Sequence, residues 1–342
     1  MISVVVLFQL SGQLTDPVLN LFRFHGLESV GPSMLCQLTV WQVSGRSHRQ
    51  RLYCCPMSQL SNYLELTKPR ITTLVLVMTA LGFYLGADGQ MSLLTMMWTL
   101  LGTAMVSGGS AALNHYIERD VDAMMQRTSS RPLPSGGLTP SATLSFGFCL
   151  ILLGQVLLVV TTNLLTAWLA LLTAFLYVVI YTPMKRMTWL NTSLGAIPGA
   201  LPPVGGWTAA SGELEWGACA LFAILFAWQH PHFYSIAWIF RDDYRRAGFR
   251  MLPCLEEEGY PRTCRQIIGF SLLLIVVSLG PAWLGISGVV YVVGATVLGL
   301  GMLAASISLV MARDQFQARR LLRASVIYLP LLFLLTVIDK SL

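Results

Sequence analysis

The hydrophobic residues of this chain are grouped into nine long apolar segments, separated by shorter polar stretches. Each segment is close to the roughly 20 residues that an α-helix needs to cross a bilayer. The pattern therefore predicts an all-α polytopic membrane protein with nine transmembrane helices, at about 71–87, 91–113, 143–163, 164–182, 189–209, 216–240, 267–284, 289–311 and 322–338. The fifth segment contains three prolines and four glycines, so we expect a kinked helix there.

Composition supports a membrane protein. Hydrophobic residues make up 55% of the chain and charged residues only 11%, whereas a soluble domain carries about 25% charged residues. Lipid must therefore cover much of the surface. The net charge of +6 is not pooled in one patch and no nucleic-acid motif is present, so we expect no nucleic-acid partner. The seven cysteines lack metal-finger spacing.

Positive charge between the segments tests the count of nine. From residue 57 onward, every Lys and Arg except Lys340 precedes the first segment or follows an even-numbered one. Because cytoplasmic loops carry the excess of Lys and Arg, this parity predicts a cytoplasmic N-terminus and an external C-terminus. We expect a cell inner (plasma) membrane, with the mitochondrial inner membrane as the alternative.

Residues 1–56 do not fit this pattern. Their apolar start is short and follows no basic residue, so a signal peptide is not indicated. A few arginines with few acids faintly resemble an organelle transit sequence. We favour a disordered leader or an over-extended start, since Met57 opens the stretch just before the first basic residues. The expected organisation is an N-terminal extension, 1–56, and a nine-helix domain, 57–342.

An acidic cluster ends the second segment. On a continuous helix Asn114, Glu118 and Asp122 would lie within an arc of about 80° and span about 12 Å. Such hard oxygen ligands suit Mg²⁺ that is shared with substrate phosphates. Asp120 points elsewhere on such a helix, and His115 is equally compatible with a structural or a chemical role. A solvated helix end is the alternative to a metal site.

A second acidic cluster, with Arg241, Asp242 and Asp243, ends the sixth segment. By itself this sequence is typical of a solvated helix cap. The charge parity places it on the same membrane face as the first cluster, and this favours a shared functional site. His230 and His232 precede it among aromatic residues. A haem-iron ligand, a proton-transfer group and a hydrogen-bonded structural histidine all stay open for each.

Basic residues accompany both clusters. Arg127 and Arg131 follow the first one, and a guanidinium binds phosphate oxygens in a bidentate manner. Lys185 and Arg186 could bind phosphate or anchor at the membrane interface, and we favour anchoring. Carboxylates, metal and arginines together would neutralise a leaving diphosphate, while the apolar helices would shield an allylic cation from water. This combination is typical of prenyl transfer to an electron-rich carbon.

The acidic stripe on the second segment, with a second acidic site four helices later, resembles the UbiA superfamily of intramembrane prenyltransferases. Finer motifs are similar to the branch that farnesylates protohaem IX, and the resemblance covers about 63–338. These motifs are Leu66-Thr67-Lys68-Pro69-Arg70, Arg127-Thr128, Arg131-Pro132-Leu133, Tyr181-Thr182-Pro183, Lys185-Arg186, Gly199-Ala200, Pro202-Pro203, Trp228-Gln229, Pro231-His232 and Asp243-Tyr244.

The resemblance implies a UbiA-like helical bundle, Mg²⁺, farnesyl diphosphate as donor and the vinyl group of haem b as acceptor, with haem O and diphosphate as products. It also implies contact with haem A synthase or with terminal oxidase assembly. Carried over by position, the resemblance implies five metal ligands: Asn114, Glu118, Asp122, Asp242 and Asp243. It implies that the diphosphate contacts are Arg127, Arg131, Lys185 and Arg241. His232 would lie near the haem, and the catalytic residues would be Asn114, Glu118, Asp122, Asp243 and His232. Glu118 departs from the family, which commonly has Asp there.

Three other functions compete with this hypothesis. A UbiA-type enzyme could prenylate a quinone precursor or a chlorin instead of haem. A transporter would place its charges near the bilayer midplane within inverted repeats, whereas these acids cluster at one interface. A passive haem-binding subunit would have no need of two clusters of acids and arginines.

Overall fold

The computed structural model describes residues 59–87, 89, 91–256 and 259–340. All regular secondary structure in this part of the chain is helical, so the predicted all-α fold class is confirmed. The extension 1–56, and with it the predicted division at residue 57, lies outside the described residues. The division therefore stays a prediction.

The helices are listed here in chain order. They are α1 Gln59–Leu66, α2 Pro69–Gly86, α3 Leu93–Asp122, α4 Pro140–Thr161, α5 Leu164–Phe175, α6 Thr182–Met187, α7 Asn191–Ala200, α8 Pro202–Ser211, α9 Trp216–Ile239, α10 Arg241–Arg246, α11 Leu252–Leu255, α12 Pro261–Ser278, α13 Gly280–Trp283, α14 Val289–Ala312 and α15 Gln315–Lys340. A π-helical segment, Leu176–Tyr181, joins α5 to α6 without a break.

Side-chain caps begin three of the long helices. The Ser92 hydroxyl accepts from the Thr95 N–H at 3.2 Å at the start of α3. At the start of α5 the Asn163 side-chain oxygen accepts from the Thr166 N–H at 2.8 Å. At α4 the cap is Thr139, and Pro140 follows at the first helical position, where its missing N–H costs nothing.

Seven of the described helical stretches are long and apolar enough to cross a membrane, which makes the chain a multi-pass membrane protein. They are Pro69–Gly86, Leu93–Asp122, Pro140–Thr161, Leu164–Met187, Pro261–Trp283, Val289–Ala312 and Gln315–Asp339. Each matches a predicted segment.

The other two predicted segments have a different form. The fifth is two helices of 10 residues each, α7 and α8. They break at Leu201 because Pro202 and Pro203 cannot donate to the preceding turn. The sixth is the 24-residue helix α9, whose apolar character is interrupted by Gln229, His230 and His232. The kinked fifth segment is confirmed, whereas the count of nine spanning helices stays a prediction.

Glycine lets α3 and α4 pack backbone to backbone. A Cβ on Gly109 would lie 2.6 Å from the carbonyl oxygen of Gly147, and one on Gly154 would lie 2.8 Å from that of Gly102. No side chain fits at such distances. This close approach holds α3 in place against α4, and the C-terminal half of α3 carries the first acidic cluster.

Candidate active site

The first acidic cluster is a buried stripe on α3. Because α3 continues without a break to Asp122, the helical register that the sequence predicts is confirmed. Asn114 and Asp122 are 0% exposed and Glu118 is 6% exposed. Asp120, on the other side of the same helix, has a side chain that is 83% exposed. A solvated helix end is therefore wrong for the stripe and right for Asp120.

Each polar group of the stripe contacts a cation from a different part of the chain. The Lys68 ammonium donates to Asn114 Oδ1. Lys185 Nζ donates to Glu118 Oε1 at 2.7 Å, and Arg131 donates to both Asp122 carboxylate oxygens at 2.7 Å. Buried charges are tolerated only in such pairs. Lys185 thus points into the bundle, and the expectation that it anchors at the interface is wrong.

Lys68 is a site residue that the sequence reasoning did not select. It precedes α2 with φ at 47°, in the left-handed region that non-glycine residues rarely adopt. Burial, and next the charge of Arg131, lower the pKa of Lys68 to about 7. A bound anion would raise that pKa again, so Lys68 would be a cation whenever an anionic ligand is present. Its place in a Leu-Thr-Lys-Pro-Arg motif was the signal available.

The π-helical segment Leu176–Tyr181 sets the orientation of the Asn114 amide. It positions the Thr182 hydroxyl to donate to the Tyr177 carbonyl at 2.8 Å. That hydroxyl therefore accepts from Asn114 Nδ2, at 3.0 Å. The Asn114 oxygen consequently faces Lys68 and the interior of the site. Single π turns inside α-helices occur often at functional sites.

The second acidic cluster lies at the same end of the bundle as the first. Arg127, in the loop after α3, donates to the Tyr244 hydroxyl at 3.1 Å, and its guanidinium lies 5.3 Å from the Phe240 ring centroid. Beneath this contact, Val121 and Met125 pack with Tyr244 in one buried apolar cluster. The ends of α3 and α9 are therefore held side by side, which agrees with the predicted shared face.

The acids of the second cluster differ in their surroundings. Asp243 pairs with Arg246, and its side chain is 16% exposed. Asp242 is 72% exposed, with Arg241 Nε at 3.7 Å. Arg241 also donates to the Tyr260 hydroxyl. The structure does not bring Asp242 to the buried stripe, and its predicted role as a metal ligand has no geometric support.

The two histidines of α9 have different hydrogen bonds. Both ring nitrogens of His230 are paired, with Ser193 Oγ at 2.9 Å and the Phe226 carbonyl at 2.8 Å. This ring has the bonds of a structural histidine. His232 Nδ1 lies 2.8 Å from Ser325 Oγ, and its ring stacks on Trp228 at 4.6 Å between centroids.

The tautomer of His232 follows from Ser325. The Ser325 hydroxyl donates its one proton to the Leu322 carbonyl at 2.7 Å. Its oxygen must therefore accept from His232 Nδ1–H, which leaves Nε2 with a bare lone pair. A fixed lone pair on a buried imidazole suits a metal ligand or a proton acceptor.

A cavity of about 400 Å³ opens next to Glu118. Apolar and polar side chains line it, from α3, α6 and the segment after α10: Ile117, Glu118, Val121, Thr182, Pro183, Arg186 and Phe249. Its position gives a ligand access to the carboxylate stripe. Among the residues that the structure describes, no three acidic, histidine or cysteine side chains converge as a preformed metal site.

Comparison with known proteins identifies the family. The model of the UbiA prenyltransferase family matches residues 75–334. The chain belongs to the UbiA prenyltransferase family. A UbiA-family relative from Solibacter usitatus (strain Ellin6076), named protoheme IX farnesyltransferase, is 46% identical over 290 residues, which cover 82% of this chain and 99% of the relative. One of the same name from Koribacter versatilis (strain Ellin345) is 44% identical and covers 83% of this chain and 94% of the relative.

Solved UbiA-type structures share the fold. A digeranylgeranylglyceryl phosphate synthase superposes with a TM-score of 0.72 at 17% identity and covers 84% of this chain and 100% of that one. A UbiA homolog from Archaeoglobus fulgidus, bound to DMAPP and Mg²⁺, gives a TM-score of 0.58 at 18% identity and covers 82% of this chain and 99% of that one. The predicted UbiA-like bundle is confirmed.

Proposed function

We propose that this UbiA-family chain transfers a farnesyl group from farnesyl diphosphate to the vinyl group of haem b, giving haem O and diphosphate. The observation that carries the proposal is the buried stripe of Asn114, Glu118 and Asp122, in which every member contacts Lys68, Lys185 or Arg131. Such a set of acids and bases suits a metal–diphosphate pair better than it suits a neutral ligand. The names of the relatives support the choice of farnesyl and haem as substrates.

The donor set fits Mg²⁺. One amide oxygen and two carboxylates are hard ligands of the kind that Mg²⁺ prefers, and the ion would share them with water and phosphate oxygens. We assign Asn114, Glu118 and Asp122 to this role, with Asp243 from the second cluster. When bound, the ion would stabilise negative charge on the departing diphosphate.

The chain's own cations would bind the diphosphate. As it enters, Lys68, Lys185 and Arg131 can shift from their partners on the stripe to phosphate oxygens, since each donates to a member of the stripe. Arg127 and Arg241 lie beside the second cluster, where Tyr244 and Tyr260 hold their guanidinium groups. The allylic C–O bond breaks as charge moves onto the diphosphate, and the apolar helices exclude water from the cation.

The farnesyl cation then forms a C–C bond with the terminal carbon of the haem vinyl group. The new cation next to the porphyrin then adds water and loses a proton from it, which gives the hydroxyl group of haem O. His232 is our choice for the haem side because its Nε2 lone pair has a fixed direction. Its neighbour Trp228 offers a flat aromatic surface that a porphyrin can contact.

Replacing Ser325 tests the role of His232. Ser325→Ala removes the acceptor for Nδ1–H, so we expect haem b binding to weaken by about 10-fold, as loss of a second-layer hydrogen bond to a metal ligand does. Absorbance titration of purified protein with haem b measures this and reports axial ligation. Ser325→Thr keeps the hydroxyl and should keep the wild-type spectrum. Equal spectra and affinity in Ser325→Ala would argue against ligation by His232.

Location and partners complete the proposal. Residues 57–342 form the catalytic domain, and both clusters face the cytoplasm from the cell inner membrane, with the mitochondrial inner membrane as the alternative. The charge parity of the loops supports this orientation. Haem A synthase or the terminal oxidase assembly would receive the product.

The deciding experiment is product analysis with purified protein in lipid nanodiscs. Farnesyl diphosphate, Mg²⁺ and haem b should give a haem whose mass contains the farnesyl group. Parallel reactions contain hydroxybenzoate or a chlorin as acceptor. Turnover of one of these acceptors, and none of haem b, would overturn the haem assignment while keeping prenyl transfer.

A further inference from the structure

His115 is a buried imidazole for which the described part of the chain offers no hydrogen-bond partner. It lies on α3 and is 2% exposed. Neither Nδ1 nor Nε2 has a partner among the described residues. Buried polar groups in native proteins are almost always paired, and an unpaired one destabilises the fold. The ring therefore needs a partner that the described residues do not supply.

The helical register places His115 on the side of the carboxylate stripe. It comes seven residues before Asp122, so the two side chains leave α3 within about 20° of each other. It comes three residues before Glu118, at about 60°. Lys68, Lys185 and Arg131 pair with the members of this stripe, so three cations lie along the side of α3 that His115 faces. A ligand that shares this space with three cations is an anion.

The other two buried histidines of the described residues do have hydrogen-bond partners. His230 has partners for both ring nitrogens, and His232 has one for Nδ1. Thr and Ser hydroxyls elsewhere in α3 donate to the carbonyl four residues back, as Ser110 does at 2.7 Å. Packing therefore supplies partners to neighbouring polar groups and leaves His115 without one.

We infer that His115 donates a ring N–H to an oxygen of the bound prenyl diphosphate, next to Lys68 and Arg131. The inference rests on the proposed function, which supplies the diphosphate. The ring N–H adds a directional hydrogen bond to the contacts that the three cations offer. His115 is thus a binding residue of the donor subsite, in addition to the acids and cations of the stripe.

Substitution by leucine separates binding from folding. His115→Leu keeps an apolar side chain of similar size and removes an unpaired polar ring, so its thermal midpoint should equal or exceed that of the wild type. Its affinity for farnesyl diphosphate with Mg²⁺ should fall by about 10-fold or more, the usual effect of losing a hydrogen bond to a charged group. His115→Asn keeps an N–H donor and should retain most of the affinity.

Isothermal titration calorimetry of the full chain in nanodiscs measures these affinities, with farnesyl diphosphate and with inorganic diphosphate as separate ligands. Both should bind His115→Leu more weakly, whereas haem b should bind all variants equally. Wild-type affinity in His115→Leu would overturn the inference. Failure of the wild type itself to bind farnesyl diphosphate would instead overturn the proposed function.

A spectroscopic measurement covers the case in which His115→Leu does not fold. Wild-type protein labelled with ¹⁵N-histidine should show one imidazole signal that shifts on addition of inorganic diphosphate and Mg²⁺. That signal should be missing in His115→Asn. If no imidazole signal moves when diphosphate saturates the protein, His115 does not contact it.

Discussion

Asp122→Asn should lower Mg²⁺-dependent farnesyl transfer by at least about 100-fold, the loss typical of removing a group that stabilises transition-state charge. Asp122 is fully buried, and Arg131 donates to both of its carboxylate oxygens. The Thr128 hydroxyl also fixes its backbone carbonyl at 2.9 Å. An asparagine fits the same space but offers one neutral oxygen, which holds neither the ion nor the guanidinium as firmly.

The same helix provides a matched control. Asp120→Asn makes the identical chemical change two residues away, on a side chain that is 83% exposed. Membranes from cells that express either variant should contain equal amounts of the variant protein. Extraction of haem from these membranes, followed by mass spectrometry, measures the farnesylated product. We expect Asp120→Asn to match the wild type. If Asp122→Asn also matches it, the buried stripe has no part in the chemistry.

Lys185→Met should destabilise the fold by about 3–5 kcal/mol, because it leaves the Glu118 carboxylate buried without a counter-ion. The Lys185–Glu118 contact is 2.7 Å long, and the two side chains are 13% and 8% exposed. Thermal unfolding in detergent, followed by circular dichroism, should show a midpoint lower by roughly 10 °C. Glu118→Gln should be less severe, since the Lys185 ammonium can also contact the Tyr181 ring at 4.7 Å.

A double variant shows whether the loss comes from the unpaired charge. Lys185→Met combined with Glu118→Gln removes both charges. The thermal midpoint of this double variant should return most of the way from that of Lys185→Met to that of the wild type. Arg119→Met is the control, because the Arg119–Asp120 pair is 3.8 Å long and exposed, and such pairs contribute about 1 kcal/mol at most. An additive loss in the double variant would mean that the two residues do not stabilise each other.

The features that arise within a single helix could be predicted from the sequence. Apolar length predicts the seven long helices, and the 3.6-residue period predicts that Asn114, Glu118 and Asp122 share a face. The proline pair at 202–203 predicts the break in the fifth segment. In each case the signal lies within one helix and needs no knowledge of its neighbours.

Contacts between distant parts of the chain could not be predicted in this way. Lys68 and Asn114 are 46 residues apart and Lys185 and Glu118 are 67 apart, so no local pattern links each cation to its partner. The same holds for Ser325, which lies 93 residues from His232 and sets its tautomer. The interpretation of Lys185 is wrong for this reason: a lysine after an apolar helix usually reaches the interface, whereas this one donates to the distant Glu118.

The pairing of every stripe residue with a lysine or arginine has a consequence for the order of events. Glu118 and Asp122 are already paired with Lys185 and Arg131, and Lys68 contacts the Asn114 amide, so the stripe offers little attraction to a free divalent ion. In the proposed reaction, a diphosphate would have to draw these cations away before the carboxylates could bind a metal ion. Ion and donor would then enter together as one neutralised complex, and Glu118 and Asp122 would stay capped until substrate arrives.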